Sequence, residues 1–303
     1  MSWIFLVLLY GILKGGREIA KKKAMNTNTV MEVLVAYTAL SFILVVPQAK
    51  DAGGMEPKFY FLVALKAFAI FLAWICSFRS LKFLPVSLYG ILSLSRILFA
   101  TLLGVLILHE TLGIFQILGL ILVSAGLLLL KFKPKNKKRT ATADASALED
   151  AQNSEMPTQI PVRETTAFFV ALAFLSCIFN SISGFMDKIL MKDITSSQLQ
   201  FWYMLFLVSY YVIYLLVKRE KISFSVLKNK WVWLLAVMFV IGDKALFIAN
   251  GNPESRITVM TLLKQSACII TILGGKFIFK EKGIGYKLFC ASIIITGIVL
   301  GVL

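Results

Sequence analysis

Charged residues, and acidic ones in particular, are scarce in this chain of 303 residues. Only 16% of the residues are charged, and 16 Asp plus Glu stand against 32 Lys plus Arg. A soluble globular domain carries roughly 25% charged residues, so the composition argues against that class. There is one histidine, His109, and the four cysteines lie far apart, so neither residue type has the spacing of a metal site. No Walker loop and no HExxH, GxSxG or CxxC motif occurs. We therefore expect no catalytic residue, no metal, no cofactor and no enzymatic activity.

Apolar sequence, by contrast, is abundant. Hydrophobic residues make up 58% of the chain, and the mean hydropathy is +0.82. Apolar runs of about 20 residues recur, and a run of that length forms an α-helix that crosses a bilayer. The runs lack the alternation of a membrane barrel. The predicted fold is an all-α membrane protein with ten transmembrane helices, at residues 2–20, 30–48, 59–78, 85–108, 111–130, 166–190, 198–217, 231–249, 254–279 and 284–303.

The net charge of +16 is explained by topology. The chain is too apolar to form a basic groove, so we do not expect it to bind nucleic acid. We expect a lipid bilayer to surround it. The loops after odd-numbered helices carry about 20 Lys and Arg, Arg17 and Lys21 to Lys23 among them, whereas the loops after even-numbered helices carry five. The positive-inside rule then predicts cytoplasmic odd loops and external termini. The predicted localisation is multi-pass in a bacterial plasma membrane.

One segment differs in composition from the rest. Residues 131–165 are polar, poor in aromatics and basic at their start, which is typical of a disordered linker. The alternative for the basic residues is a patch that binds lipid headgroups. The linker divides the chain into a first repeat at 1–130 and a second repeat at 166–303.

The two halves resemble each other in sequence. In PVSLYGILSLSR and PESRITVMTLLK, Pro85 matches Pro253 and Arg96 matches Lys264 without a gap. Further matches join Ser87 to Ser255, Gly15 to Gly184, Glu18 to Asp187, Glu110 to Glu281 and Gly126 to Gly297. Because five helices are an odd number, the second repeat enters the membrane inverted. Inverted repeats are typical of secondary transporters with a substrate site near mid-bilayer, and duplicated packing without transport is the alternative.

Residues 80–126, SLKFLPVSLYGILSLSRILFATLLGVLILHETLGIFQILGLILVSAG, carry a family signature that residues 251–297 repeat in weaker form. On these segments the chain resembles the EamA-type transporters of the drug/metabolite transporter superfamily. The resemblance implies ten helices in two five-helix repeats and transport of a small metabolite. Relatives that carry phosphorylated sugars use basic side chains on the fourth and ninth helices, which here match Arg96 and Lys264.

Five cations lie well inside the predicted spans, away from the span ends: Lys14, Lys66, Arg96, Lys244 and Lys264. A charge near the centre of a spanning helix costs roughly 2.5–3.5 kcal/mol, so each needs a partner or a polar cavity. Arg96 and Lys264 each lie eleven residues after the matched prolines, about 16 Å into the helix. This pair predicts a site for a phosphate or carboxylate, unless structural acids neutralise both.

The remaining candidates each have two interpretations. Lys66 is predicted either to reach the substrate cavity or to extend to the membrane surface. Asp243 and Lys244 are candidates for proton or ion coupling, or for a salt bridge. Glu18 and Asp187 are candidates for the coupling acid, or for helix caps. Tyr37 and Tyr210 lie deep enough in their spans to line the cavity.

The predicted function is a secondary carrier that moves a small anionic or zwitterionic metabolite by alternating access, coupled to a proton or an ion. The alternatives are a flippase for lipid-linked intermediates and a non-transporting membrane scaffold. A homodimer is left open by the sequence.

Overall fold

The computed structural model describes residues 2–108, 113–131, 162–219, 222–255, 260, 263–264, 266–281 and 284–300. The predicted linker lies almost wholly outside the described residues, and His109 and Glu110 lie outside them as well. The predicted role of the linker therefore stays a prediction.

Of the described residues, 87% are helical and none forms a strand, which confirms the all-α class. The α-helices are α1 (Ser2–Ala24), α2 (Val30–Val45), α3 (Pro57–Phe83), α4 (Val86–Leu92), α5 (Arg96–Leu108), α6 (Ile114–Lys131), α7 (Val162–Leu190), α8 (Ser196–Lys218), α9 (Lys230–Asn250), α10 (Ser266–Phe277) and α11 (Ile284–Leu300). Short 3-10 helices follow at Val46–Asp51, Ser93–Ser95 and Phe224–Lys228.

Among the described residues, six helical segments are long and apolar enough to cross a membrane: Val30–Asp51, Pro57–Phe83, Val86–Ile107, Thr166–Leu190, Ser196–Lys218 and Lys230–Asn250. Shorter apolar helices cover Ile117–Gly126, Ser266–Phe277 and Ile284–Gly297. The charged helix α1 is not among the six. A count of ten spans stays a prediction.

Corresponding helices of the two halves begin in the same way. Thr29 precedes α2 and accepts a hydrogen bond from the backbone N–H of Glu32, whose carboxylate accepts one from the Thr29 backbone. Thr195 and Gln198 form the same reciprocal pair at the start of α8. This capping box satisfies backbone donors that a helix start leaves free.

The predicted fourth helix is continuous as a span but broken as an α-helix. A 3-10 turn at Ser93–Ser95 separates α4 from α5, and the hydroxyl of Ser93 donates to the carbonyl of Gly90. A 3-10 turn inside a helix often marks a functional hinge. Arg96 begins α5 directly after this turn.

The first helix is longer than predicted, and this changes the charge count. α1 continues to Ala24, and Arg17 and Lys21 are buried within it rather than exposed in a loop. Those two residues therefore leave the loop count, which falls from about 20 to about 18 against five. The predicted orientation is unchanged by this correction.

The most extensive packing joins the two halves. α1 packs on α9 and α10, while α7 packs on α3 and α5. α2 packs on α9, while α3 packs on α8. Three further pairs join α2 to α8, α4 to α10 and α6 to α11. The helices that meet at the centre of these contacts enclose a polar cavity.

Candidate functional site

A polar cavity lies between the two halves of the chain. Its volume of about 90 Å³ suffices for several water-sized occupants, since one water needs about 10–15 Å³ on this measure. The residues that line it belong to α1 to α5, with the 3-10 turn between α4 and α5, and to α7 to α10. The polar and aromatic lining residues are Tyr10, Lys14, Arg17, Glu18, Lys21, Tyr37, Lys66, Trp74, Ser77, Tyr89, Ser93, Arg96, Ser176, Cys177, Asn180, Ser183, Asp187, Tyr203, Phe239, Asp243, Phe247, Cys268 and Thr271.

One face of α1 supplies an unusually charged wall of this cavity. Lys14, Arg17, Glu18 and Lys21 all line it, as does Tyr10 one turn earlier. Residues three and four apart share a helix face, so this spacing directs all of them toward one side. Lys14, Arg17 and Lys21 were not among the site residues predicted from the sequence, although their helical spacing is a signal for a shared face.

Each acidic residue that lines the cavity has a basic partner. Arg17 Nη1 lies 3.3 Å from Asp243 Oδ1 and joins α1 to α9. Lys66 Nζ lies 3.0 Å from Asp187 Oδ1 and joins α3 to α7. Within α1, Lys21 Nζ lies 2.8 Å from Glu18 Oε1. Ion pairing therefore neutralises Glu18, Asp187 and Asp243, the three predicted coupling acids.

Two cavity cations remain without an acidic partner. Among the described residues, neither Lys14 nor Arg96 has a carboxylate within the 4.0 Å of an ion pair. Arg96 Nη2 donates a hydrogen bond of 2.7 Å to the backbone carbonyl of Asn180 on α7. The described lining therefore holds two more basic side chains than acidic ones.

Lys264, which the sequence comparison of the two halves matches to Arg96, occupies a different position. It is 8% exposed and does not line the cavity. Its Nζ lies 5.9 Å from the centroid of the Tyr10 ring, and Tyr10 is a lining residue. Within the described part of the chain, Lys264 has no ion pair.

The two predicted tyrosines are placed differently. Tyr37 lines the cavity, stacks on Trp74 at 5.0 Å and meets Phe239 edge-on at 5.4 Å. Tyr210 is outside the lining and donates to the carbonyl of Ala64 on α3. Its ring packs against Phe68 and Phe71, in contact between α8 and α3.

Asp243 and Lys244 are adjacent in sequence but have separate partners. Asp243 pairs with Arg17, as the salt-bridge interpretation allowed. Lys244 is outside the lining, and its Nζ donates 2.8 Å hydrogen bonds to Gln48 Oε1 and Ser197 Oγ. Lys244 thereby connects the end of α2 to the start of α8.

α4 and α10 are in close contact at the cavity lining. A side chain at Gly90 would overlap Thr271, and Thr271 lines the cavity. Beyond this contact, Glu281 Oε1 accepts a 2.7 Å hydrogen bond from the backbone N–H of Val86, and Ser87 donates its hydroxyl to Glu281 Oε2. Lys287 pairs with the same carboxylate at 3.1 Å. The predicted repeat counterpart, Glu110, lies outside the described residues.

A lysine satisfies the carbonyls at the end of one helix in each half. Lys22 Nζ donates to the carbonyls of Leu81, Lys82 and Leu84, where α3 ends. Lys188 Nζ donates to the carbonyls of Asn250 and Asn252 and to Ser255 Oγ, where α9 ends. Cations are favourable at helix C-termini, where carbonyls lack internal partners. Both lysines therefore fix the segments that lead into the two matched prolines.

Among the comparisons with known proteins, the match to a family covers the first half of the chain. Residues 1–132 match the model of the EamA-like transporter family, which confirms the predicted resemblance. No curated protein matches the chain. A solved crystal structure is similar over 100% of this chain and 99% of its own, with a TM-score of 0.67 and 12% identity. At that identity the likeness shows the fold alone. Together with the six apolar helices, the family match indicates an integral, multi-pass membrane protein.

Proposed function

We propose that this protein is a secondary transporter for a small organic anion, which binds in the cavity between two inverted five-helix repeats. The observation that carries the proposal is the imbalance of charge in the cavity. Lys14 and Arg96 lack carboxylate partners among the described residues, whereas Glu18, Asp187 and Asp243 are all paired. An uncompensated cation in a membrane interior is costly, and a bound anion removes that cost.

The chemistry of the two cations favours a carboxylate or phosphate. A guanidinium forms two parallel hydrogen bonds to such a group, and an ammonium adds a point charge. Arg96 already donates one hydrogen bond to Asn180, and Gly184 leaves room beside it, since a side chain there would come within 3.3 Å of Arg96 Nη2. Lys264 lies next to the cavity as well, with its Nζ 5.9 Å from the centroid of the Tyr10 ring.

The packing of the helices supports the repeat relationship. Exchanging α1 with α7, α2 with α8, α3 with α9, α4 and α5 with α10, and α6 with α11 leaves the set of major contacts unchanged. The contacts of α2 with α8, α4 with α10 and α6 with α11 map onto themselves, and the others convert into one another. The contact of α1 with α9 becomes that of α7 with α3, and the contact of α1 with α10 becomes that of α7 with α5. Lys22 on α1 binds carbonyls at the end of α3, and Lys188 on α7 binds a carbonyl at the end of α9, so these two contacts are related in the same way.

Alternating access follows if the two repeats exchange conformations. In this proposal the contact of α4 with α10, with Glu281 at its outer end, closes one side of the cavity. The segment before α4 is on the cytoplasmic side by the positive-inside count, so the described conformation corresponds to a carrier closed toward the cytoplasm. A reporter fused within residues 140–160 tests this orientation, because we expect it to be cytoplasmic.

The three paired carboxylates are the candidates for coupling. Protonation of Glu18, Asp187 or Asp243 would release its cation, and the freed cation would then be available to the substrate. In this scheme a proton gradient drives transport through the ion pairs, and Lys244 takes no part because its partners lie outside the lining.

Uptake by proteoliposomes tests the function. Reconstituted protein is expected to accumulate radiolabelled organic anions from a panel of carboxylates and phosphate esters. Uptake by the Arg96→Gln variant should be at least tenfold lower than that of the wild type. The control Lys58→Gln, at an exposed site, should keep the wild-type uptake. Uptake by Arg96→Gln equal to that of the wild type would remove Arg96 from the site. A polar cavity in a protein that transports nothing from the panel would favour the scaffold.

A further inference from the structure

The side chain of Lys66 lies in a part of the cavity lining, here called a chamber, that a carboxylate and two aromatic rings form. Its Nζ lies 3.0 Å from Asp187 Oδ1, 3.5 Å from the centroid of Tyr203 and 5.1 Å from that of Phe247. Lys66 is 2% exposed, Asp187 6%, and the two aromatic residues 1% each. The ammonium group is therefore enclosed on several sides.

This combination of groups is the one that binds organic ammonium ions. Aromatic faces attract a cation through the ring quadrupole, and the attraction grows when the group is removed from water. A carboxylate supplies the opposite charge. The chamber thus has the composition of a site for a small alkylammonium ion, with the lysine of the chain as its occupant.

A second chamber of the same composition supports this reading. The Arg17 guanidinium pairs with Asp243 and lies 5.3 Å from the Tyr10 centroid and 5.1 Å from that of Phe239. The residues of both chambers line the cavity, and both chambers are formed between helices of opposite halves. In each, a cation attached to the chain fills the position that a free cation would take.

We propose that Lys66 is a specificity-determining residue: it fills an ammonium-binding site from within the chain and so excludes organic cations from the cavity. Asp187, Tyr203 and Phe247 form the site. The exclusion of cations rests on the proposed function of anion transport, whereas the ammonium site itself does not. Lys14 and Arg96 are then the cations of the described lining that have no carboxylate partner, and these select anions.

The variant Lys66→Ala tests the proposal, because it removes the atoms that correspond to n-propylammonium. We expect n-propylammonium to raise the Tm of purified Lys66→Ala in a saturable way by a few degrees, since a ligand of the native state stabilises it. Neutral n-propanol should have no such effect. Wild type and Lys66→Met, in which a side chain fills the chamber, should not respond either.

The double variant Lys66→Ala/Asp187→Asn is the decisive control, because it keeps the space but removes the charge. It should not respond to n-propylammonium, and an equal response there, or in the wild type, would overturn the proposal. If Lys66→Ala is unstable alone, we expect n-propylammonium during purification to restore its recovery and n-propanol not to. If n-propylammonium does not restore the recovery of Lys66→Ala while the double variant is well folded, the proposal is also overturned.

The outcome is independent of the transport proposal. Stabilisation of Lys66→Ala by n-propylammonium supports the ammonium site even if Arg96→Gln transports normally. Loss of anion uptake in Arg96→Gln, combined with no response of Lys66→Ala, would retain the proposed function and remove the specificity role of Lys66. Uptake of labelled methylammonium by Lys66→Ala, but not by the wild type, tests the exclusion of cations.

Discussion

Arg17 on α1 and Asp243 on α9 form a buried ion pair, with Nη1 and Oδ1 3.3 Å apart. The side chains are 8% and 11% exposed, and the pair connects the first half of the chain to the second. It lies in the wall of the cavity, between the rings of Tyr10 and Phe239. The pair is therefore part of both the packing between the halves and the electrostatics of the site.

We predict that Asp243→Asn lowers the free energy of unfolding by about 3–5 kcal/mol, because it leaves the Arg17 guanidinium buried without its counter-charge. The double variant Arg17→Met/Asp243→Asn should recover part of the loss. Unfolding of the purified protein measures both. The exposed pair of Lys58 and Glu56 is the control, since Glu56→Gln should cost less than about 1 kcal/mol. Equal effects of Asp243→Asn and Glu56→Gln would contradict the assignment.

The repeat-related glycines Gly15 and Gly184 are expected to differ in their roles. A side chain at Gly15 would lie 2.6 Å from Ile270 Cβ and 2.9 Å from the carbonyl of Ala267, so Gly15→Ala should separate α1 from α10. We expect a loss of about 1–3 kcal/mol, as overpacking typically produces. Gly53→Ala is the control, because nothing lies within 4 Å of a side chain there.

Gly184→Ala is expected to alter substrate binding rather than stability. The new methyl group would have one neighbour, Arg96 Nη2 at 3.3 Å, and a flexible side chain moves aside at little cost. We predict a raised KM for anion uptake with an unchanged Tm. A fall in Tm as large as that of Gly15→Ala would show that the two glycines have the same packing role.

Lys22 and Lys188, which bind the carbonyls at the ends of α3 and α9, are expected to contribute to stability. Lys22→Met removes hydrogen bonds to three backbone carbonyls. A hydrogen bond from a charged group contributes about 1.5–3 kcal/mol, so we expect a loss of at least that size in the free energy of unfolding. Lys188→Met should have a similar effect, and the exposed Lys192→Met should have almost none. A neutral Lys22→Met would show that the carbonyls find other partners.

Features with a local origin could be predicted from the sequence. The helical class follows from the apolar runs, and the family resemblance from the motif around Pro85. The charges of α1 also have a local signal, since Lys14, Arg17, Glu18 and Lys21 share one face. Counting Arg17 and Lys21 as loop charges obscured it, although Arg17 lies inside the predicted span 2–20.

Features that depend on packing between distant helices could not be predicted. The partners Lys66 and Asp187 lie on α3 and α7, and no local spacing relates them. The sequence match gives Arg96 and Lys264 the same position in their predicted spans, but the rotation of each helix against its neighbours decides which side chain reaches the cavity. For that reason Arg96 lines the cavity and Lys264 does not.

The most direct test of the central claim is the thermal stabilisation of purified protein by matched organic anions and neutral analogues, measured in the wild type and in Lys14→Met/Arg96→Gln. We expect a carboxylate or phosphate ester from the panel to raise the wild-type Tm, its neutral amide or parent alcohol to have no effect, and the double variant to lose the response. An equal response to the neutral analogue, or an undiminished response of a folded double variant, would contradict an anion site at Lys14 and Arg96.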